Sequence, residues 1–234
     1  MEIKKGEFVC IIGDVGSGKS SLLSALIGDL LYMDPAILDE HEDTVLLQDA
    51  HLRSLIIENS KELLSTSPIV ISASTSFVQQ VPWIQNKTIR ENITFGMPFD
   101  REKYERVVDI CELTRDLEIM PAGDQTEIGE KGINLSGGQK ARVSLARAVY
   151  AEKEIILMDD PISALDANVK RKIFTNVFTG ALKDKTRILV THSVDFLHLV
   201  DKILLLKDGE IILSGKYEDI EDDPNIRQLM QIHK

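Results

Sequence analysis

Cysteine is scarce. The chain of 234 residues has two, Cys10 and Cys111, far apart and each inside an apolar pattern. That excludes a disulfide framework or a cysteine-built zinc site and suits a reducing compartment. Cations are also short: 27 Lys and Arg face 38 Asp and Glu, for a formal net charge of −11. A surface this acidic argues against nucleic acid as a partner, because phosphate backbones are gripped by clustered Lys and Arg. No apolar run approaches the roughly 18 to 20 residues that span a bilayer. No signal-peptide pattern, internal repeat or low-complexity tract is seen. The chain reads as soluble by itself, which leaves it free to be one piece of a membrane protein.

What is present is 43% hydrophobic content, enough for a sizeable core. Strand-like runs occur at Glu7–Ile12, Ile69–Val78, Glu154–Met158, Thr186–Thr191 and Lys202–Lys207. Most are continuous rather than alternating, as in a sheet covered on both faces. Helical patterns follow at Ser20–Leu31, Arg101–Cys111, Gln139–Ala151, Val169–Phe178 and Val194–Leu199. A hairpin strand at Glu210–Leu213 and a short terminal helix close the chain. The alternation predicts an α/β fold. Two regions fit it poorly: Tyr32–Pro68, long and mixed, and Arg101–Gly132, which reads as a separate helical lobe.

The stretch "FVCIIGDVGSGKSSLL" joins a buried strand to a glycine-rich turn and a helix. Gly13–Ser20 fits G-x-x-x-x-G-K-[ST] in full, the phosphate loop of nucleotide-binding proteins. Gly13, Gly16 and Gly18 permit backbone shapes that turn consecutive N–H groups inward, with Asp14, Val15 and Ser17 between them. The following helix, opened by Lys19, Ser20 and Ser21, adds its N-terminal partial charge. Lys19 is expected to neutralise phosphates and Ser20 to ligate Mg²⁺, so the turn is read as a site for ATP. The strand "EIILMDD" carries Asp159 to the sheet's carboxyl edge, where a carboxylate can hold Mg²⁺ through water. At Ser136, Gly137 and Gly138 a second helix N-terminus opens, with Val143, Ala146 and Tyr150 on its expected buried stripe.

These motifs, with "NLSGGQKARVSLARAVY" just upstream of "ILMDD", resemble the ATP-binding cassettes of ABC transporters. The resemblance covers nearly the whole chain, 1–234, as one nucleotide-binding domain. It implies a P-loop fold of ABC type: a mostly parallel sheet, an antiparallel β portion near the N-terminus and a helical lobe at about 101–132. It implies that Leu135, Ser136, Gly137, Gly138 and Gln139 form a signature that closes over the ATP of a second cassette packed head to tail. Gln80 matches the glutamine that contacts Mg²⁺ and the transmembrane domain, Asp166 ends the D-loop, and His192 in "ILVTHS" matches the switch histidine near the γ-phosphate. "PWIQNKTIRENITFG" and "EIMPAGDQTEIGEKGINLSGGQ" are similar to the first cassette of C-subfamily, multidrug-resistance-associated exporters. Glu127 and Glu130 would then couple to transmembrane domains of the same polypeptide, at the cytoplasmic face of a membrane.

Three departures from that pattern carry expectations of their own. Where active cassettes have a glutamate that polarises the attacking water, this chain has Asp160, shorter by one methylene. The resemblance therefore implies a site that binds ATP and hydrolyses it poorly. The family's adenine-stacking aromatic would lie upstream of "KKGEFVCIIG", so the chain reads as a fragment of a larger transporter, weak as an isolated ATPase. About 34–67 reads as an insert. The competing expectation is a regulatory module that gates a channel or partner protein through ATP-driven dimerisation, without export.

Overall fold

The computed structural model describes residues 1–30, 69–71, 73–129 and 134–232. The chain divides into two compact units, Met1–Lys19 with Ala73–Lys234, and Ser20–Ser72. The expected insert at 34–67 lies outside the described residues, as does Glu130.

The larger unit is built on β1 (Phe8–Ile12), β2 (Thr75–Val78), β3 (Ile155–Asp159), β4 (Thr186–Val190), β5 (Lys202–Lys207) and β6 (Glu210–Gly215). They form one sheet in the order β2-β3-β4-β1-β5-β6. All neighbours are parallel except β5 and β6. Every residue of β1 and β4 is buried. That accounts for their unbroken apolar runs, since a central parallel strand has no solvated face. The hairpin expected at Glu210–Leu213 is the antiparallel pair β5–β6; the antiparallel portion expected near the N-terminus is not found among the described residues. Asp208 and Gly209 have φ of 49° and 83°, the left-handed pair that a two-residue hairpin turn requires, and they fold β6 back onto β5. The N-terminal strand β1 takes a central place, between β4 and β5.

The helices of this unit are α2 (Ile89–Thr94), α3 (Arg101–Ile110), α4 (Thr114–Ile119), α5 (Gly137–Tyr150), α6 (Ala167–Ile173), α7 (Tyr217–Ile220) and α8 (Pro224–Ile232); α1 (Lys19–Ile27) lies in the smaller unit except for its first residue. The sequence reading missed α2, although Thr88 and Glu91 form a reciprocal capping box at its start. It missed α4 too. The helix expected at Val194–Leu199 shrinks to one tight turn, Leu197–Leu199. Past α6 the chain winds wider, as a π-helix over Phe174–Ala181. There Phe174 and Phe178 close on Phe8 of β1, with ring centroids 5.8 and 6.4 Å away, and Phe196 stacks on Phe174 at 4.3 Å. Buried aromatic contacts of this kind reward the irregular winding. Among the described residues of Ile69–Val78, strand pairing covers the last four. Between Arg101 and Gly132 the described residues form α3, α4 and a short turn, Gly123–Gln125.

In the smaller unit α1 was expected to reach Leu31 but ends at Ile27. Gly28, at φ 84°, turns the chain so that the N–H of Asp29 reaches the Ser24 carbonyl at 2.9 Å, a left-handed helix stop. Among the described residues no helix is long and apolar enough to cross a membrane.

Candidate functional site: a phosphate-binding loop at the carboxyl edge of the sheet

Strand register decides which residues meet. Ile11 of β1 and Asp159 of β3 both align with Val190 of β4, and Val78 of β2 aligns with Met158 of β3. The residues that follow each strand therefore emerge at one edge: Gly13 after β1, Gln80 after β2, Asp160 after β3, and Thr191 and His192 after β4. In parallel sheets this is the edge that receives ligands.

The loop after β1 is braced from below. Gly13 has φ 150°, and a Cβ there would strike the Leu206 carbonyl and approach the Ser17 hydroxyl to 2.8 Å. The N–H of Gly209, in the β5–β6 turn, donates to the Ser17 carbonyl at 3.1 Å. Gly16 and Gly18, at φ 85° and 94°, take shapes an L side chain rarely adopts. Asp14 and Val15 are exposed, whereas Ser17 is buried. Within the loop the Lys19 ammonium donates to the Gly13 carbonyl at 2.9 Å, the Asp14 carbonyl at 2.7 Å and the Ser17 hydroxyl at 3.4 Å. Burial lowers its pKa, opposed by the negative charges of Asp14, Asp159 and Asp160. Ser20 and Ser21 are exposed in the first turn of α1.

Asp159 and Asp160 are 7% and 6% exposed, so two carboxylates sit nearly buried within the field of Lys19. Asp160 is held in a left-handed backbone conformation, φ 43°. Its N–H donates to the Val190 carbonyl at 2.8 Å, and its carbonyl accepts from the Ser163 hydroxyl at 2.9 Å. The Thr191 hydroxyl donates to its carboxylate at 3.1 Å and accepts from the Ser193 N–H at 3.0 Å. Thr191 was not foreseen, although its place directly before His192 offered a hint. Gln80 is exposed just beyond β2, and His192 is half-buried. The donor set of carboxylate and amide oxygens has the hard character that Mg²⁺ prefers. Among the described residues no three His, Cys, Asp or Glu side chains gather as a metal site. Mg²⁺ needs fewer, since it usually takes one or two carboxylates with the phosphates and waters. Cys10 lies nearby in β1, where burial and the Asp160 charge push its thiol up to about 12.

The signature residues sit at the start of α5. Ser136 is its N-cap: the Ser136 hydroxyl accepts from the Gln139 N–H at 3.2 Å, and the Gln139 side chain accepts from the Ser136 N–H at 2.9 Å. Gly138 lies against the Ala164 carbonyl and Leu165, where a Cβ would be squeezed to 3.3 and 3.4 Å. Leu135 is buried; Ser136 and Gly137 are exposed. The foreseen stripe of Val143, Ala146 and Tyr150 is buried, at 1%, 0% and 1% exposure. Asp166 caps α6, accepting from the N–H groups of Asn168 and Val169 at 3.1 Å. The Val169 bond holds its carboxyl below the usual range. Glu127 is exposed, bridged to Thr88 by backbone pairing.

Arg147 of α5 also went unforeseen. Its guanidinium donates to the carbonyls of Asn92 and Trp83 at 2.8 and 3.0 Å and to the Asn92 side chain at 3.1 Å, and it lies 4.5 Å over the Phe95 ring. It thereby ties the segment after β2 to α2 and to the signature helix. Burial lowers its pKa. Arg147→Ala is expected to cost about 2–4 kcal/mol, because three hydrogen bonds to a charged group go at once. Thermal unfolding should show it as a Tm drop of roughly 4–16 °C. Arg147→Lys should not restore it, since an ammonium lacks the planar fork. An unchanged Tm would mean that these bonds do not hold the segment.

Two clefts of about 720 and 600 Å³ flank α3 and are lined by Arg90, Tyr104 and Asp124 in one and Lys103, Tyr150 and Glu152 in the other. Neither includes the Gly13–Ser20 loop; a smaller cleft, of about 80 Å³, is lined by Asp14 with Leu206 and Asn225.

Comparison with known proteins bears on the same residues. A family model described as "ABC transporter" matches residues 1–163. The chain is 47% identical over 218 residues to a Caenorhabditis elegans protein named multidrug resistance protein mrp-7, covering 92% of this chain and 12% of that protein. It is 46% identical to ABC transporter C family member 8 of Dictyostelium discoideum, covering 98% of this chain and 13% of that protein. It is 44% identical to mouse ATP-binding cassette sub-family C member 2, covering 97% and 13%. The chain thus spans about one eighth of the length of the curated relatives it matches.

Proposed function

The chain belongs to the ABC transporter family, and from that premise we propose that it is the ATP-binding cassette of a C-subfamily membrane exporter, coupling MgATP binding and hydrolysis to transport. The observation that carries this reading is the Lys19 ammonium, seated in a glycine loop at the edge where Asp159, Asp160, Gln80 and His192 also emerge. Asp159, Gln80 and Ser20 are the oxygen donors assigned to Mg²⁺. Held there, the ion would supply positive charge against the phosphates. Lys19 holds the phosphates, and His192 contacts the terminal one.

In this reading the chain's own site binds ATP and turns it over slowly. The Asp160 carboxylate is one methylene short of a water-polarising glutamate and is engaged by Thr191. Ser136 and the N–H groups of Gly137 and Gly138 complete the site of a second cassette, and Glu127 faces transmembrane domains of the same polypeptide at the cytoplasmic side of the membrane. Glu130 is assigned with Glu127, and Asp166 to the contact between cassettes. The proposed domain organisation is one cassette over 1–234, with a helical lobe at about 101–132 and an insert at about 34–67.

The test is site-resolved hydrolysis in the complete transporter, using a photoreactive ATP analogue and single-turnover conditions. Nucleotide trapped on this chain should remain triphosphate while the partner site turns over. Equal, rapid hydrolysis at both sites would overturn the asymmetry. The same Asp160 geometry supports a second reading, a cassette that gates a channel or partner protein. Uptake into vesicles would separate the two, since gating moves no substrate against a gradient.

A further inference from the structure

The start of α5 is held from an unexpected side. Asp116, in α4, accepts from the Gln139 side-chain amide at 2.8 Å through one carboxylate oxygen and from the Arg142 guanidinium at 2.7 Å through the other. Both members of the Asp116–Arg142 pair are sheltered, at 15% and 13% side-chain exposure. Gln139 is the residue whose carbonyl oxygen accepts from the Ser136 N–H. An amide has distinct donor and acceptor ends. By taking the NH₂ end, the Asp116 carboxylate turns the oxygen end towards Ser136 and locks the capping box.

The lock has a directional consequence at Ser136. Its hydroxyl oxygen already accepts from the Gln139 N–H. The hydroxyl proton is therefore left to point elsewhere, and Ser136 is exposed. In the same turn Gly138 is seated against Ala164 and Leu165. The first turn of α5 is fixed by that segment and by Asp116, and it presents one oriented O–H and the free N–H groups of a helix start.

We propose that Asp116 is a positioning residue for the signature: through Gln139 and Arg142 it aims the Ser136 hydroxyl and the first N–H groups of α5 at the phosphates of an ATP held by a partner cassette. The inference rests on the reading that the signature acts on a second cassette. A carboxylate in α4 does this well because its two oxygens serve an amide and a guanidinium at once, with both bonds charge-assisted. Asparagine puts an NH₂ group, which cannot accept, where one of the two oxygens stood, so one of the two donors then faces a donor.

The experiment is steady-state ATPase kinetics on the complete transporter carrying Asp116→Asn, Asp116→Glu or Ser136→Ala. Amide hydrogen exchange at Gln139 is followed in parallel in the chain described here. Asp116→Asn should lower kcat roughly tenfold, because donors displaced by a fraction of an ångström lose transition-state contact. The KM for MgATP and the MgATP affinity of this chain's own loop should stay within twofold. Asp116→Glu should recover most of the kcat, and the Gln139 amide should exchange faster in Asp116→Asn. If Asp116→Asn proves unstable, Gln139→Met leaves the Asp116–Arg142 pair in place and should show the same loss confined to kcat. Full kcat in Asp116→Asn or in Gln139→Met, with Ser136→Ala impaired, would overturn the positioning role and leave the two-cassette reading standing. Full kcat in Ser136→Ala would remove the two-cassette reading and the positioning role with it.

Discussion

Lys19→Ala should abolish most MgATP binding, weakening it at least a hundredfold. Lys19 donates to two loop carbonyls and the Ser17 hydroxyl and lies in the field of Asp14, Asp159 and Asp160. Removing the ammonium leaves nearly buried carboxylates facing incoming phosphates with no cation between them. Deleting one partner of such a buried arrangement costs about 3–5 kcal/mol, which corresponds to a few hundred- to a few thousand-fold in affinity. Lys19→Met, which keeps the length and loses the charge, should behave the same way. Lys19→Arg should fail too, because a planar fork cannot replace a compact ammonium held by three acceptors. Titration with a fluorescent ATP analogue measures this directly, and thermal unfolding of each variant shows that the loop's surroundings persist. Affinity within a few-fold of the unmodified chain would sink the assignment of the loop.

Asp160→Glu is expected to act in the opposite direction and on a different quantity. The longer side chain carries its carboxylate about an ångström further toward an attacking water, a change worth roughly ten- to a hundredfold in rate when alignment is limiting. The backbone that holds position 160, with its bonds to Val190 and Ser163, is unchanged by the substitution. MgATP affinity should hold within a few-fold, since Lys19 and Asp159 remain and the role proposed for position 160 is exerted on the water in the transition state. Thr191→Val in the Asp160→Glu background should alter kcat alone, as the carboxylate loses the hydroxyl that orients it. Single-turnover hydrolysis at this site resolves both effects. A rate unmoved by Asp160→Glu would mean that carboxylate reach does not limit the chemistry.

The fold was legible where one segment's own pattern decided the outcome. The apolar runs of β1, β4 and β5 announced strands buried on both faces, and "GDVGSGKS" announced its loop because only glycines tolerate φ of 85° and 94° at those positions. The capping boxes at Thr88 and Ser136 were written in the chain as well; only the helix start at Ser136 was read, and α2, six residues long, was overlooked. Arg142 and Arg147 stood on an otherwise buried helix, which calls for partners without naming them.

The sequence by itself determined that this chain carries a phosphate-loop pattern in a strand–loop–helix turn, that it belongs with ABC cassettes, and that aspartate stands where a glutamate is usual in them. Each is a matter of residue type at close spacing, and local backbone preference suffices for it. Only the tertiary structure decided that Thr191, just past the neighbouring strand, grips Asp160, and that Asp116 reaches Gln139 and Arg142, 23 and 26 residues away. Contacts at that separation follow from strand order and helix packing, where hydrogen-bond demand in a half-buried place selects the partner. No local pattern records that demand.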